Sequence, residues 1–598
     1  MKTAITLLFC LLAAVACAGS PLISYNLAMP EPQTHLFLIT MELTDLPGDS
    51  TTTLILPVWR PGRYSILDFS SGIQEFSARV GNHPLKWHRS DKSSWTIESG
   101  GQHALTVSYS VYANDFNIRT RGLNDRHAFV DESSVFMYVE KFRSLPVRLK
   151  VEPFRGWHVT TGLDREKENL YSAPGYDYFI DCPLEIGTQK DIEFEVDGVT
   201  HVLSMAGEGS WNADTLVRDI SAIVRAEKEF WGTFPYRRYY FLVECTPGGG
   251  GGTEHLNSTI IQVPPGCFTD RESYQDYFLA TVAHEFFHTW NVKQLRPAGI
   301  HPFDFTRENY SRELWIAEGT TTYYANIMLA RAGFLPAKKF FDIITSTVAS
   351  DRARPGNRIE SVADASFNSW TESKRSYQQT YNAGSDIYER GAMISTFLDL
   401  TIRRETGGRY SLDDLMRTMY NRFPLSGKGY TLDDLRSTLS DLTGWDCTRF
   451  FDDYIYGTAQ IPWEEALDGA GLRLVCTDSL PKPWLGITTY ENSGTLRIGS
   501  IVAGSPAYTS GLDLGDVLLA LDDARITNGN LTEQIGTHKP GDSVRLAVFH
   551  DDRLRTITVV LGAAPKLDYK LVRTEHPTDL QKALFTGWLH TAWSDSAK

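Results

Sequence analysis

Cysteine is scarce in this chain of 598 residues: seven in all, and only Cys182, Cys245, Cys267, Cys447 and Cys476 beyond the N-terminal run. An odd number without CxxC spacing excludes a disulfide framework and a cysteine-ligated zinc site. Cys245 and Cys267 flank a glycine-rich loop and are placed to pair in an oxidising compartment, with two small buried residues as the equal alternative. Positive charge is also short. Lys+Arg total 58 against 73 Asp+Glu, a net charge of -15, which argues against nucleic acid or an anionic membrane surface as a main partner. No segment after the N-terminus approaches the length of an apolar membrane span, and there is no internal repeat or low-complexity tract. The remaining composition, 42% hydrophobic and 22% charged, is that of an ordinary globular protein,. The length is too great for one core, so several domains are expected.

The start, MKTAITLLFCLLAAVACAGS, joins one lysine, an apolar run from Ala4 to Ala16 and then small residues. This is the pattern of a secretory signal over residues 1–18, too short for a transmembrane anchor. Ala14-Val15-Ala16-Cys17 is loosely similar to a bacterial lipoprotein processing site. Soluble export, to a periplasm or outside the cell, and a lipid anchor at Cys17 both stay open.

Residues 20–200 read as short alternating strands such as HLFLITMEL, HALTVSYSVYA and DIEFEV, separated by turn clusters, and predict an all-β, sandwich-like domain. Over 201–467 the pattern changes. Strands YYFLVEC and STIIQV enclose the loop TPGGGGGTEHLN, and helical segments follow, with Gly333 and Gly407-Gly408 as helix stops,. A β-rich unit spans 470–565, and the tail 566–598 ends in an amphipathic helix, LQKALFTGWLHTAW, expected to dock on the body.

The chemistry concentrates in His284-Glu285-Phe286-Phe287-His288. Residues four apart on a helix share a face, so both imidazoles can point at one metal ion. Glu285, about 100° round, is placed to hold a water whose pKa the metal lowers. Phe286 and Phe287 point away and seat the helix in the core. The bland reading is a packed helix whose histidines bond neighbouring carbonyls. A site of this kind needs a third protein ligand, and Glu308, Glu313 and Glu318 compete. Spacing favours Glu308. Context favours Glu318, which opens a helix in LWIAEGTTTYYAN, whereas Glu308 sits in the polar stretch FTRENYS,.

HEFFHTWNVKQLRP, LWIAEGTTTYYAN and GGTEHLNS together resemble the glycyl aminopeptidase family of zinc metallopeptidases, gluzincins related to the alanyl aminopeptidases. The resemblance reaches LPVWRPGRYSILDFS and the third unit, so it covers nearly the whole chain. It implies an α+β, thermolysin-like catalytic domain and one zinc per chain, held by His284, His288 and Glu318, with Glu285 as general base. Gly251-Gly252-Thr253-Glu254-His255 is similar to the Gly-x-Met-Glu-Asn loop of the related alanyl aminopeptidases, with threonine for methionine and histidine for asparagine. The resemblance therefore assigns Glu254 to the substrate's α-amine, with Gly251, Gly252 and His255 beside it. A flexible hairpin is the bland alternative for that loop. Tyr388-Glu389-Arg390-Gly391 stands where the related aminopeptidases have Tyr-Glu-Lys-Gly, which implies Tyr388 as oxyanion donor. Tyr381, Tyr323 and Tyr324 are its rivals.

Trp484-Leu485-Gly486-Ile487 resembles the carboxylate loop of a PDZ domain, which implies a site for peptide C-termini at Leu485, Gly486 and Ile487. A packed domain with an unused groove is the alternative. The reading as a whole is an exported zinc aminopeptidase acting on peptides with free, small N-terminal residues. Its rivals are an endopeptidase of the same metal class and a non-catalytic binding protein.

Overall fold

The computed structural model describes residues 22–372, 378–478 and 480–593. The expected signal and Cys17 lie outside them. The chain forms two compact units. Among the described residues, one takes those up to Arg60 and Leu67–Gln189; the other takes Pro61–Ile66 and those from Lys190 on.

The first unit is β-rich. An eight-stranded sheet has Leu22–Ala28 at its middle, antiparallel to Leu36–Thr44 and parallel to Val147–Glu152. Leu36–Thr44 alternates along its length, burying Phe37, Ile39, Met41 and Leu43 on one face, as a half-buried strand must. Sheets of five and three strands complete the unit.

The second unit begins earlier than the sequence indicates. The DIEFEV segment, read as the end of the β domain, forms Lys190–Val196 and pairs with Val199–Gly207. Its partner strand then runs parallel to Arg238–Cys245, so the hairpin belongs to the second unit's five-stranded sheet. The crossover between those parallel strands is the helix Ala213–Trp231, the connection that parallel pairing requires. Asn212 caps its start by accepting from the amide of Thr215 at 2.9 Å, and Gly232 ends it at φ 86°, a left-handed turn that glycine adopts without strain. Ser258–Val263 continues the parallel run, and Gly252–Glu254 closes the sheet as its antiparallel edge.

Helices follow. Gly333 and the Gly407-Gly408 pair have positive φ just beyond the helices Thr321–Arg331 and Glu389–Glu405, the expected stops. Farther on, Ile487–Asn492, Thr495–Ile501, Val517–Leu521, Ser543–His550 and Arg553–Val560 build a sheet around a core including Ile498, Leu518, Val544 and Leu546. The tail begins with a strand, Tyr569–Arg573, that pairs with Leu472–Cys476. Its helix, Asp579–Leu589, docks through Trp588, a fully buried residue whose indole N–H donates to the Tyr323 hydroxyl at 2.9 Å.

Candidate metal centre

The HEFFH helix is seated by its aromatics. Phe286 lies 4.9 Å edge-on to Tyr239 and 5.3 Å from Trp290, and Phe287 stacks on Tyr324 at 4.7 Å. That packing fixes the helix Ala280–Phe287 about its axis, and it turns His284 and His288 to the same side. Their Nε2 atoms are 3.0 Å apart. Glu318 Oε2 lies 3.4 Å from His288 Nε2 and 3.8 Å from His284 Nε2. Three donors about 2.0–2.1 Å from one tetrahedral zinc stand roughly 3.4 Å from each other, so this triangle fits the ion.

The electrostatics point the same way. Desolvation opposes charge on His288, but the carboxylates of Glu318 and Glu254 carry it up to about 9. Burial pulls His284 below its ordinary value, against the hydrogen bond it donates to Glu318. Burial would raise Glu318, but His288 and His284 hold it well below the usual carboxylate range. The carboxylates thus favour positive charge beside His288, while burial favours the neutral, ligating form of His284.

Outer contacts orient these donors. His288 Nδ1 donates to the carbonyl of Asn291 at 2.7 Å, which directs Nε2 to the centre,. The Asn291 amide donates in turn to the Ile316 carbonyl at 2.9 Å and to Thr321 Oγ1 at 3.1 Å. This ties the HEFFH segment to the helix that carries Glu318. Glu318 itself sits in a widened helical turn, Ile316–Thr320, an irregularity common at functional sites.

The competing carboxylates lie elsewhere. Glu313 accepts from Ser311 Oγ at 2.6 Å and from the Leu432 amide at 3.0 Å, where it caps the helix Leu432–Thr443. Glu308 stays half-buried in an irregular segment.

Ligand atoms of Glu254, Glu285 and His288 also lie within 4.8 Å of one another. Glu285 and Glu254 are both buried. Gly252 is needed for the first: a Cβ there would stand 2.5 Å from Glu285 Oε1. Gly251 has φ 79°, and its amide donates to the hydroxyl of Tyr277, one turn before the HEFFH helix. The loop is therefore a fitted edge strand and not a slack hairpin. His255 is buried, and its amide closes the turn onto the Ser258 carbonyl at 2.9 Å.

Tyr388 approaches from a third element. Its ring centroid is 6.4 Å from that of His284, and it is 42% exposed. Desolvation around the phenol, with the charges of Glu318, Glu254 and Glu285, holds its pKa well above the ordinary value, so it remains a donor. Asp386 accepts from the amides of Tyr388 and Glu389 at 2.8 and 2.7 Å, which starts the helix Glu389–Glu405. Arg390 is buried in an ion pair with Asp351. Tyr323 and Tyr324 are core residues that donate to Asp399 and Asp413. Tyr381 is half-buried under Arg354.

Three family models match in order: the Peptidase M61 N-terminal domain over residues 24–188, the M61 glycyl aminopeptidase over 277–394 and a PDZ domain over 483–561. The chain carries both the N-terminal and the glycyl aminopeptidase domain of the M61 family. The chain is similar to the crystal structure of an aminopeptidase N family protein from Idiomarina loihiensis. The two are 26% identical, with a TM-score of 0.89, over 94% of this chain and 100% of that one. An M1 zinc metallopeptidase from Deinococcus radiodurans aligns at 13% identity and TM-score 0.46, over 74% of this chain and 95% of that one. A probable periplasmic serine endoprotease, DegP-like, from Pseudomonas fulva (strain 12-X) is 27% identical over 121 residues, 18% of this chain. The chain spans about a quarter of the length of the curated relatives it matches.

Two features of the M61 site escaped the sequence reading. Tyr64, in the RPGRYSILDFS stretch, donates its hydroxyl to Glu318 Oε1 at 2.7 Å. The helices of Glu318 and Tyr388 cross at a glycine pair, where a Cβ on Gly319 would lie 2.4 Å from Gly391 Cα. The glycine in each motif, AEG and YERG, was a signal available for that crossing. Gly319→Ala is expected to lower stability by about 1–3 kcal/mol, because two backbones must separate to admit a methyl group. Denaturant unfolding of the two proteins measures it.

Cys245 and Cys267 are buried free thiols. Burial raises them to about 12 and about 11, which makes both inert at neutral pH. In the PDZ region the carbonyls of Leu485 and Gly486 accept from Ala507 and Val502 at 3.0 and 2.9 Å. Gly486 has φ 83°, and a Cβ there would lie 2.2 Å from Ser505 Cβ. Ile487 then starts the strand paired with Thr495–Ile501.

Proposed function

We propose that the protein is a zinc-dependent aminopeptidase that removes single N-terminal residues, glycine and alanine foremost, from peptides. One observation carries the reading: a buried carboxylate, Glu254, stands within 4.8 Å of both the general-base candidate Glu285 and the metal ligand candidate His288. A carboxylate at that range pairs with the substrate's α-ammonium and fixes the cut one residue in. The strand Gly252–Glu254 is the last of its sheet, and an edge strand can pair with extended substrate backbone. The preference for small residues rests on the family description.

His284, His288 and Glu318 would hold one zinc ion. When bound, it would supply Lewis-acid chemistry, polarising the scissile carbonyl and lowering the pKa of water. Glu285 accepts a proton from the attacking water and passes it to the leaving amine. Tyr388 donates to the oxygen that becomes negative in the transition state. Glu254 holds the ammonium throughout.

The supporting context extends beyond the site. The signal-like N-terminus and the periplasmic designation of the DegP-like relatives support export, either soluble or lipid-anchored. The PDZ match supports capture of peptide C-termini at Leu485, Gly486 and Ile487.

The decisive experiment is hydrolysis of a panel of aminoacyl and N-acetylated substrates with and without a zinc chelator. The expected result is cleavage of free-amine glycyl and alanyl substrates, abolished by the chelator and restored by zinc. Equal cleavage of blocked peptides would make the protein an endopeptidase. No hydrolysis by the zinc-loaded protein would leave a binding role.

A further inference from the structure

The segment Pro61–Ile66 groups with the catalytic unit although the chain on both sides of it belongs to the β-rich unit. Its contacts give the reason. Tyr64 is buried, its ring lies edge-on to Trp370 at 6.2 Å, and its hydroxyl meets Glu318 Oε1 at 2.7 Å. Two residues earlier, Gly62 has φ 80°, and a Cβ there would stand 2.6 Å from Glu254 Oε2. One short segment therefore touches both the proposed third ligand and the proposed amine anchor.

The two oxygens of Glu318 have different neighbours. Oε2 faces the histidine pair at 3.4 and 3.8 Å, while Oε1 points to Tyr64. The carboxylate is almost wholly buried, so an oxygen without a donor carries a large desolvation penalty. A hydrogen bond on Oε1 both satisfies it and blocks rotation of the carboxylate about its last bond. From this asymmetry we propose that Tyr64 is a positioning residue for the metal centre, engaging Oε1 so that Glu318 ligates through Oε2 alone. With a zinc ion bound, ligation through one oxygen would leave room at the metal for water and substrate. Tyr64 does not touch the reacting atoms in this role. The inference rests on the proposed zinc site of His284, His288 and Glu318.

The test is metal binding, read without turnover. Wild type, Tyr64→Phe and Trp370→Phe are titrated with zinc against a chromophoric chelator, and each is loaded with cobalt for its visible spectrum. Outer contacts of this kind are worth about 10–100-fold in metal affinity. Tyr64→Phe is expected to bind zinc about 10–100-fold more weakly, and its cobalt bands should weaken as the second oxygen joins the metal. Trp370→Phe disturbs the ring contact but keeps the hydroxyl, and should match wild type in both measurements. Thermal unfolding of the metal-free proteins checks that all three are folded at the titration temperature. Wild-type affinity and spectrum in Tyr64→Phe would overturn the role of Tyr64 while leaving the zinc site intact. Equal losses in both variants would overturn it too, by tracing the effect to packing. Failure of wild type to bind zinc would sink the site itself, a result separable from the other two.

Discussion

Glu285→Gln is expected to lower kcat by about 10²–10⁴-fold while zinc content and KM stay close to wild type. The range is what a positioned general acid–base group supplies. The substitution is nearly isosteric, and Gly252 leaves room for it: the missing Cβ is what lets the Glu285 side chain pass 2.5 Å from where it would be. The imidazoles face Glu318 and each other and owe their orientation to Asn291 and the aromatic seat. Metal binding should therefore survive the exchange. An amide cannot take a proton from water, so the loss falls on the chemical step and not on substrate binding. Metal analysis of the purified variant, with steady-state kinetics on a glycyl substrate, measures both halves. A zinc-loaded variant that turns over at the wild-type rate would refute Glu285 as the base.

The same comparison explains why this helix was legible in the sequence. Its histidines and its aromatic seat recur at the helical period, so His284 and His288 fall on one face and Phe286 and Phe287 on others by geometry alone. Glu318 lay at the start of a helical pattern, and its placement followed from context where spacing pointed to Glu308. What stayed hidden shares one cause: it depends on segments that meet in space with no local pattern. Tyr64 lies 254 residues from Glu318, inside a turn-rich stretch that reads in sequence as part of the strand domain. No periodicity connects the two. The Gly319–Gly391 crossing needs knowledge of which helices touch. The DIEFEV strand looks like any alternating strand, and only its pairing with Val199–Gly207 and the parallel run beyond assigns it to the second unit. Cys245 and Cys267 flank one loop in sequence, yet both are free thiols in the fold. Adjacency in the chain does not supply the geometry a disulfide requires.

Substitution at Glu254 should change what is cleaved as well as how fast. Glu254 is buried at the end of an edge strand whose register is set by pairing with Ser258–Val263, Glu254 lying opposite Thr259. Gly62 closes against its carboxylate, so the group has little freedom to move. An ammonium bound there exchanges water for a charge-assisted contact in a desolvated site. Removing one partner of such a pair typically costs about 2–5 kcal/mol. Glu254→Gln is therefore expected to lower kcat/KM on free-amine substrates by roughly 30- to several-thousand-fold, by the usual 1.4 kcal/mol per factor of ten. N-acetylated substrates, which offer no ammonium, should be cleaved no worse by the variant than by wild type. The ratio of the two activities thus collapses, which a general loss of folding or metal would not produce. Glu254→Asp separates charge from position. It keeps the anion but withdraws it by one methylene, so the preference for free amines should persist while kcat falls more than KM rises, because the scissile bond is held out of line. A Glu254→Gln protein that still favours free over blocked N-termini by the wild-type factor would remove Glu254 from the role of amine anchor.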